Sequence, residues 1–224
     1  MSYQQHESQV RDHIEARCRE HMDYLNAGKE RALVFDYRLE HTRTAVAIAG
    51  VLASAAAVNP GLARIALWLH DIAKIWNPRL SKEDNEARFQ NHGVRGGDEA
   101  AEFLSGLGLP TADVLNVKRA ISLHVGLVRD KPLTDALAAV VWDADKLSKL
   151  SLAGIMHHLA VQVAMGAPEW KGMEHAVLNT QDRELRQQIR DSLNTPAAKA
   201  WADKELAVGD KVSAEIVRTL RGRQ

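Results

Sequence analysis

Apolar positions along the chain recur at helical spacing almost from end to end. Val10, Ile14, Cys18, Met22 and Leu25 share one face of a first helix that stops near Asn26-Ala27-Gly28. A second helix runs from about Asp36 to Val58. Asn59 then supplies an N-cap and Pro60 the first position of a third, which reaches about Ile75 and buries Ile65, Leu67, Trp68, Leu69 and Ile72. A loop through Asn77-Pro78 follows, with Ser81 capping a short turn. Asn91 caps a helix that ends at Gly106 and Gly108, and Pro110-Thr111 opens the next, which closes on His124. Gly126 to Leu133 reads as a loop. Thr134 caps a long apolar helix through Val140, Val141 and Leu147, and a further helix from Leu152 to Val163 ends near Gly166-Ala167-Pro168. Two more helices close the chain, the last from Thr195-Pro196. The nearest approach to strand-like alternation, Ala138 to Trp142, lies inside a helical pattern. The expectation is one all-α domain, with residues 1–34 packing on a core of residues 35–170 and residues 171–224 forming a helical extension that begins near Gly172.

Composition narrows this only a little. At 46% hydrophobic residues in 224 the chain can bury a substantial core. Lys plus Arg and Asp plus Glu each total 29, so no basic field draws the protein to nucleic acid or an anionic membrane. A phosphorylated small molecule stays open, because a metal can supply local positive charge. Cys18 is the one cysteine, which excludes an intrachain disulfide and a multi-cysteine metal site. Met1 to Arg11 is too polar for a signal peptide, and Ala45 to Val58 is too short for a membrane span. A soluble cytoplasmic protein is expected. His6, His13 and His21 lie on a polar N-terminal segment, and His175 and the doublet His157-His158 come late, the doublet reading as surface. Trp170, Trp201 and the charged run from Asp182 to Asp191 read as a solvated amphipathic extension.

The chemistry concentrates in four apolar contexts. His70-Asp71 interrupts Leu67-Trp68-Leu69 and Ile72-Ala73, where two adjacent polar residues are costly unless something satisfies them. Helix neighbours point about 100° apart, so both serve one site only if it lies between them. His41 stands early in the preceding helix. Val140-Val141-Trp142-Asp143-Ala144-Asp145 places two acids in another apolar helix, on different faces, so one of them is expected at the site. Mixed imidazole and carboxylate donors suit Mn²⁺, Fe²⁺, Zn²⁺, Co²⁺ or Ni²⁺ better than Ca²⁺. Lys74, three residues after Asp71, shares the face of that pair.

The ordered set His41, His70-Asp71 and Asp145 resembles the signature of the HD superfamily of metal-dependent phosphohydrolases, over roughly Phe35 to Gly154. Ala144-Asp145-Lys146-Leu147 is similar to the context of that family's distal acid, which favours Asp145 over Asp143. The resemblance implies an HD-domain-like helical bundle, with the HD domain at residues 35–170. It implies one ion on His41, His70, Asp71 and Asp145. His92 and His124 match the members with a two-metal centre, which implies a second ion on Asp71, His92 and His124. The implied metals are Mn, Fe, Co, Ni, Zn or Mg. Asp71 and Lys74 are the implied catalytic residues, Lys74 lying near a substrate phosphate. Arg38 and Arg95 are further substrate-binding candidates, and Glu40, Arg129 and Lys146 stand near the same motifs. The implied reaction is hydrolysis of a phosphate ester or nucleotide through a metal-bound hydroxide. A di-iron oxygenase of the same fold, or a metal-stabilised regulatory module without turnover, is the alternative. The expected partner is a phosphorylated small molecule or nucleotide, with neither nucleic acid nor membrane involved.

Overall fold

A computed structural model of the chain describes residues 2–30, 32–166, 168, 170–171 and 182–221. Among these the regular structure is helical throughout, with no strand. In chain order the helices are α1 (Tyr3–Asn26), α2 (Tyr37–Ala55), α3 (Pro60–Leu69), a 3₁₀ turn (Ile72–Lys74), α4 (Lys82–Gln90), α5 (His92–Gly106), α6 (Thr111–Leu123), α7 (Ala136–Leu150), α8 (Leu152–Ala164), α9 (Arg183–Asp191) and α10 (Pro196–Arg221). No helix of the described residues is long and apolar enough to cross a membrane.

Capping explains most of the boundaries. Ser2 and Gln5 form a reciprocal capping box at the start of α1. Asp36, Asn59, Ser81 and Ser151 accept backbone N–H groups at the starts of α2, α3, α4 and α8. Four sequence expectations shift. The third helix stops at Leu69, and His70-Asp71 forms the bend into the 3₁₀ turn, with Asp71 at φ −107° and ψ 17°. The turn expected after Ser81 is a nine-residue helix. Asn91 sends its amide back to the Ala87 carbonyl and does not cap α5. Asp135, and not Thr134, caps α7, because its carboxylate reaches the Ala138 N–H. Ala167, Gly172 and His175 lie outside the described residues, and so does the expected start of the C-terminal extension.

The core is built around α7. From Leu137 to Leu150 every residue except Lys149 is buried, as befits a helix packed on all sides. Helices α2, α3, α6, α8 and α10 pack against it. Helix α1 buries Val10, Ile14 and Cys18 against α3. Its polar side chains reach further: Tyr3 donates to Asp113 at 2.7 Å and Arg17 pairs with Glu99 at 3.2 Å. His6 is also buried, 3.3 Å from the Leu107 carbonyl, so the polar look of this segment conceals an anchored helix. Helices α5 and α6 touch through glycines. A Cβ at Gly93 would sit 2.4 Å from Val125 Cγ2, and one at Gly97 would sit 2.9 Å from the Lys118 carbonyl. That close approach brings the first residue of α5, His92, beside the residue that ends α6, His124.

Asp143 faces away from His41 and His70. It accepts from Asn194 N–H at 2.7 Å, Asn194 Nδ2 at 2.9 Å, Thr195 N–H at 2.8 Å and Thr195 Oγ1 at 2.8 Å, ahead of α10. Burial raises its carboxyl above the usual range, with those four donors working against the rise. Asp143→Ala leaves the donors unpaired and is expected to lower unfolding stability by roughly 2–3 kcal/mol in denaturant titration. His21 gives a second prediction. Its Nδ1 accepts from the Trp76 N–H at 2.8 Å, and burial, aided by Arg38 and opposed by Asp36, lowers its pKa to about 4. The unfolded chain therefore takes up a proton before the folded one, so stability is expected to fall as pH drops from roughly 6.5 toward 4. His21→Asn keeps a neutral side chain and is expected to flatten that part of the Tm–pH curve. An unchanged slope would show that His21 titrates normally.

Candidate metal centre

Three of the imidazoles stand at helix ends. His70 closes α3, His124 closes α6, and His92 follows the end of α4. A helix leaves its last carbonyls without intrahelical donors, and each of these rings takes the carbonyl three residues before it. Nδ1 lies 2.7 Å from Leu67 O in His70, 2.5 Å from Ile121 O in His124 and 3.1 Å from Phe89 O in His92. Only a protonated ring nitrogen donates to a carbonyl, so Nδ1 carries the hydrogen in all three. Burial lowers the pKa of His70 to about 3, which keeps its ring neutral. His41 reaches the same tautomer by another route. Its Nδ1 lies 2.9 Å from Ser148 Oγ, whose own hydrogen goes to the Asp145 carbonyl at 2.7 Å. The hydroxyl therefore accepts and Nδ1 donates. Each ring is left with an Nε2 lone pair, the state that a metal-binding histidine needs.

Those lone pairs meet carboxylates at the spacing of ligands around an ion. His41 Nε2 is 3.0 Å from Asp145 Oδ1, and His70 Nε2 is 3.6 Å from Asp71 Oδ2 and 3.7 Å from Asp145 Oδ1. His124 Nε2 is 3.3 Å from Asp71 Oδ1. Two donors that share an ion at about 2.1 Å are roughly 3.0–3.6 Å apart. Ligand atoms of His41, His70 and Asp71 all lie within 4.8 Å of one another, and so do those of Asp71, His92 and His124. Asp71 belongs to both groups, and Asp145 joins the first through its two histidines. The 3.0 Å approach of His41 to Asp145 is out of line for a hydrogen bond, and Nε2 of both His41 and His70 is buried without a hydrogen-bond partner. Such orphaned acceptors cost about 1–3 kcal/mol each. A divalent ion satisfies both, so the residues present fit one.

The carboxylates are balanced by lysines. Burial would raise Asp71, but His70, His124 and Lys74 hold it well below the usual carboxylate range. Asp145 is lowered in the same way, with Lys146, Lys149 and His41 outweighing burial. Lys149 donates to Asp145 Oδ1 at 2.7 Å. Lys146, fully buried, donates to Asp145 Oδ2 and, at 2.9 Å, to the His124 carbonyl, and its ammonium lies 4.3 Å from the Trp142 ring centroid. An ion at the first group therefore shares Asp145 with two ammonium groups. Lys74 Nζ is 3.0 Å from Asp71 Oδ1. A cavity of about 210 Å³ opens here, and Lys74, His92, His124, Asp145, Lys146 and Lys149 line it.

Other sequence candidates stand apart. Arg38 is off this cavity, with Nη1 3.2 Å from His21 Nε2. Arg95 is exposed on α5 and does not line it either. Glu40 pairs with Arg43, and Arg129 stacks over Trp142. His157 and His158 are half-buried beside Tyr37 rather than on the open surface. Sequence reading passed over Ser148 and Lys149, although both follow Asp145 at helical spacing, at i+3 and i+4. It also passed over Tyr37, one turn before His41, whose ring lies parallel to the His41 ring at 6.0 Å.

The model of the HD domain family matches residues 38–162, more than half of the chain. The chain belongs to the HD domain family. Its fold is that of the HD-superfamily metal-dependent phosphohydrolases. Among solved structures this HD-domain protein is similar to Bacillus subtilis YpgQ, at 18% identity and a TM-score of 0.67 over 100% of both chains. YpgQ in complex with ADP aligns at 16% identity and a TM-score of 0.62, over 100% of this chain and 97% of that one. An HD-superfamily hydrolase from Bacillus thuringiensis aligns at 18% identity and a TM-score of 0.57, over 95% of this chain and 98% of that one. At these identities the likeness is one of fold. No curated protein sequence matches significantly.

Ser148 tests the orientation of His41. Ser148→Ala removes the acceptor of the His41 Nδ1 hydrogen, and the affinity for a first-group ion is expected to fall tenfold or more, measured by chelator competition. Wild-type affinity in this variant would mean that the hydroxyl does not set the tautomer.

Proposed function

We propose that this HD-domain protein is a metal-dependent phosphohydrolase acting on a phosphate ester or nucleotide. The observation that carries the proposal is the pair of buried, unpartnered Nε2 atoms of His41 and His70, facing an Asp71 that a second histidine group shares. His41, His70, Asp71 and Asp145 would hold one divalent ion, and Asp71, His92 and His124 a second. Ions held there lower the pKa of a coordinated water and offset charge on phosphoryl oxygens.

The chain's own residues do the rest. Asp71 stays anionic, so it serves as a ligand and not as a general acid. Lys74, Lys146 and Lys149 line the cavity and give it a cationic wall suited to a phosphoryl group. Of the three, Lys74 sits three residues past Asp71 and is half-buried, so it can turn from the carboxylate to a substrate oxygen. Arg38 and Arg95 remain substrate-binding candidates for parts of the ligand beyond this cavity. A water oxygen attacks phosphorus, the P–O bond to the leaving group breaks, and the products are a phosphate and an alcohol or a shorter nucleotide. The ADP held by B. subtilis YpgQ supports a phosphorylated ligand. In this reading residues 35–170 are the HD domain that carries the site, with residues 1–34 as a helix packing on it and residues 171–224 as its C-terminal extension.

The test is phosphate release from a panel of phosphorylated compounds with Mn²⁺, Co²⁺, Ni²⁺, Mg²⁺ and Fe²⁺. Asp71→Asn is expected to cut turnover at least a thousandfold, while the helical circular dichroism is kept. Lys74→Ala is expected to leave metal content unchanged and to raise KM about tenfold, the loss of one charge-assisted contact. Wild-type turnover in Asp71→Asn sinks the proposal.

A further inference from the structure

The cavity at the metal centre does not stand alone. It shares Lys74 with a cavity of about 150 Å³ that Arg38 and Trp76 also line. That one in turn shares His21 and Arg38 with a cleft of about 630 Å³ between the end of α1, the segment entering α2, and α8. The three are thus neighbours with shared walls: histidines and lysines first, then Lys74 with Arg38, then the large cleft. Tyr37, parallel to the His41 ring at 6.0 Å, belongs to the wall of the large cleft as well.

The walls of the cleft are apolar. Met22, Leu25, Leu33, Phe35, Val161 and Met165 are among the side chains that line it. Of its polar side chains, His21 and Asp36 are engaged by neighbours, while Lys29 and Tyr37 stand at its wall as well. His21 Nδ1 accepts the Trp76 N–H, and His21 Nε2 meets Arg38. Asp36 Oδ1 accepts the Arg38 and Leu39 N–H groups as the α2 cap. A nucleobase placed here would face mainly apolar side chains, which costs affinity for each polar group left unpaired. A hydrocarbon ring loses nothing, and unbranched methionines adapt to its outline. The volume falls within the range of small-ligand sites.

We infer that this cleft is the subsite for an apolar, ring-sized group joined to the phosphate that the metal centre receives, so the substrate class is a phosphate ester of a bulky hydrophobic alcohol. Arg38 and Lys74 lie between the two ends and suit the anionic link. The inference rests on the phosphohydrolase reading, and its test is chosen to stand without turnover.

The probe is 1-naphthylmethylphosphonate, which has no ester bond to break, titrated calorimetrically into the full chain with methylphosphonate as the reference. Burial of the fused ring is expected to make the naphthyl compound bind at least tenfold more tightly. Val161→Trp fills the cleft from α8 and is expected to abolish that advantage. Leu25→Glu does so from the opposite wall, so the test survives if one variant fails to fold. Equal affinity for the two phosphonates, or tighter binding of adenosine 5′-monophosphate than of the naphthyl compound, overturns the subsite. If no phosphate ester is hydrolysed with any metal, yet the tenfold preference and its loss in Val161→Trp are both seen, the subsite stands and the phosphohydrolase reading falls.

Discussion

A neutral imidazole has one hydrogen and one lone pair, and the metal centre depends on where the hydrogen goes. In His70, His92 and His124 it goes to a carbonyl at the end of a finishing helix. Ending the helix and aiming the ligand are thus a single event. The carbonyl gains a side-chain donor, and the ring gains a fixed tautomer and direction. His41 has no helix end within reach, and Ser148 on α7 takes the place of the carbonyl. The Nε2 atoms of His41 and His70 are then buried without a hydrogen-bond partner, and a cation satisfies both together.

Helix α7 shows how polar groups survive in the middle of a core. Asp143 and Asp145 are two residues apart and face different neighbours, and each is saturated by its own. Asp143 holds the backbone ahead of α10 through Asn194 and Thr195, so its charge is spent on joining the last helix to the bundle. Asp145 is gripped by Lys146 and Lys149 and stands against His41. Removing one member of such a buried set leaves the others uncompensated, which costs far more than the set gains as a whole. The lysines also fix the sign of the cavity. Two carboxylates alone would repel a phosphate, whereas three ammonium groups on the same wall reverse that field.

The gradient of polarity away from the metal centre has a simple origin. The α1 helix arrives from the N-terminal end of the chain with an apolar last turn, including Met22 and Leu25, and α8 presents Val161 and Met165 to it. Neither surface is closed by the other, so an apolar cleft remains beside a cationic strip. His21 and Asp36 sit at that border, and both are tied inward by hydrogen bonds that keep them from competing for a ligand.

Much of this was legible in the sequence. The helical periodicity and the absence of strand alternation defined an all-α chain, and Asp36 and Asn59 marked helix starts that the structure keeps. The order His41, His70-Asp71, His92, His124, Asp145 pointed to one cluster because each residue interrupts or borders an apolar run, where an unpaired polar group is expensive. The choice of Asp145 over Asp143 rested on resemblance, since both acids lie in the same apolar helix and periodicity says only that they part. Only the tertiary structure decided the rest. The end of α3 at Leu69, the partners of the Nδ1 atoms and the role of Asp143 as an anchor depend on contacts between segments far apart in the chain. So does the apolar cleft, which α1 and α8 form together. A sequence carries the period of a helix within a few residues, but which carbonyl receives a ring nitrogen and which two faces fail to meet are set by packing.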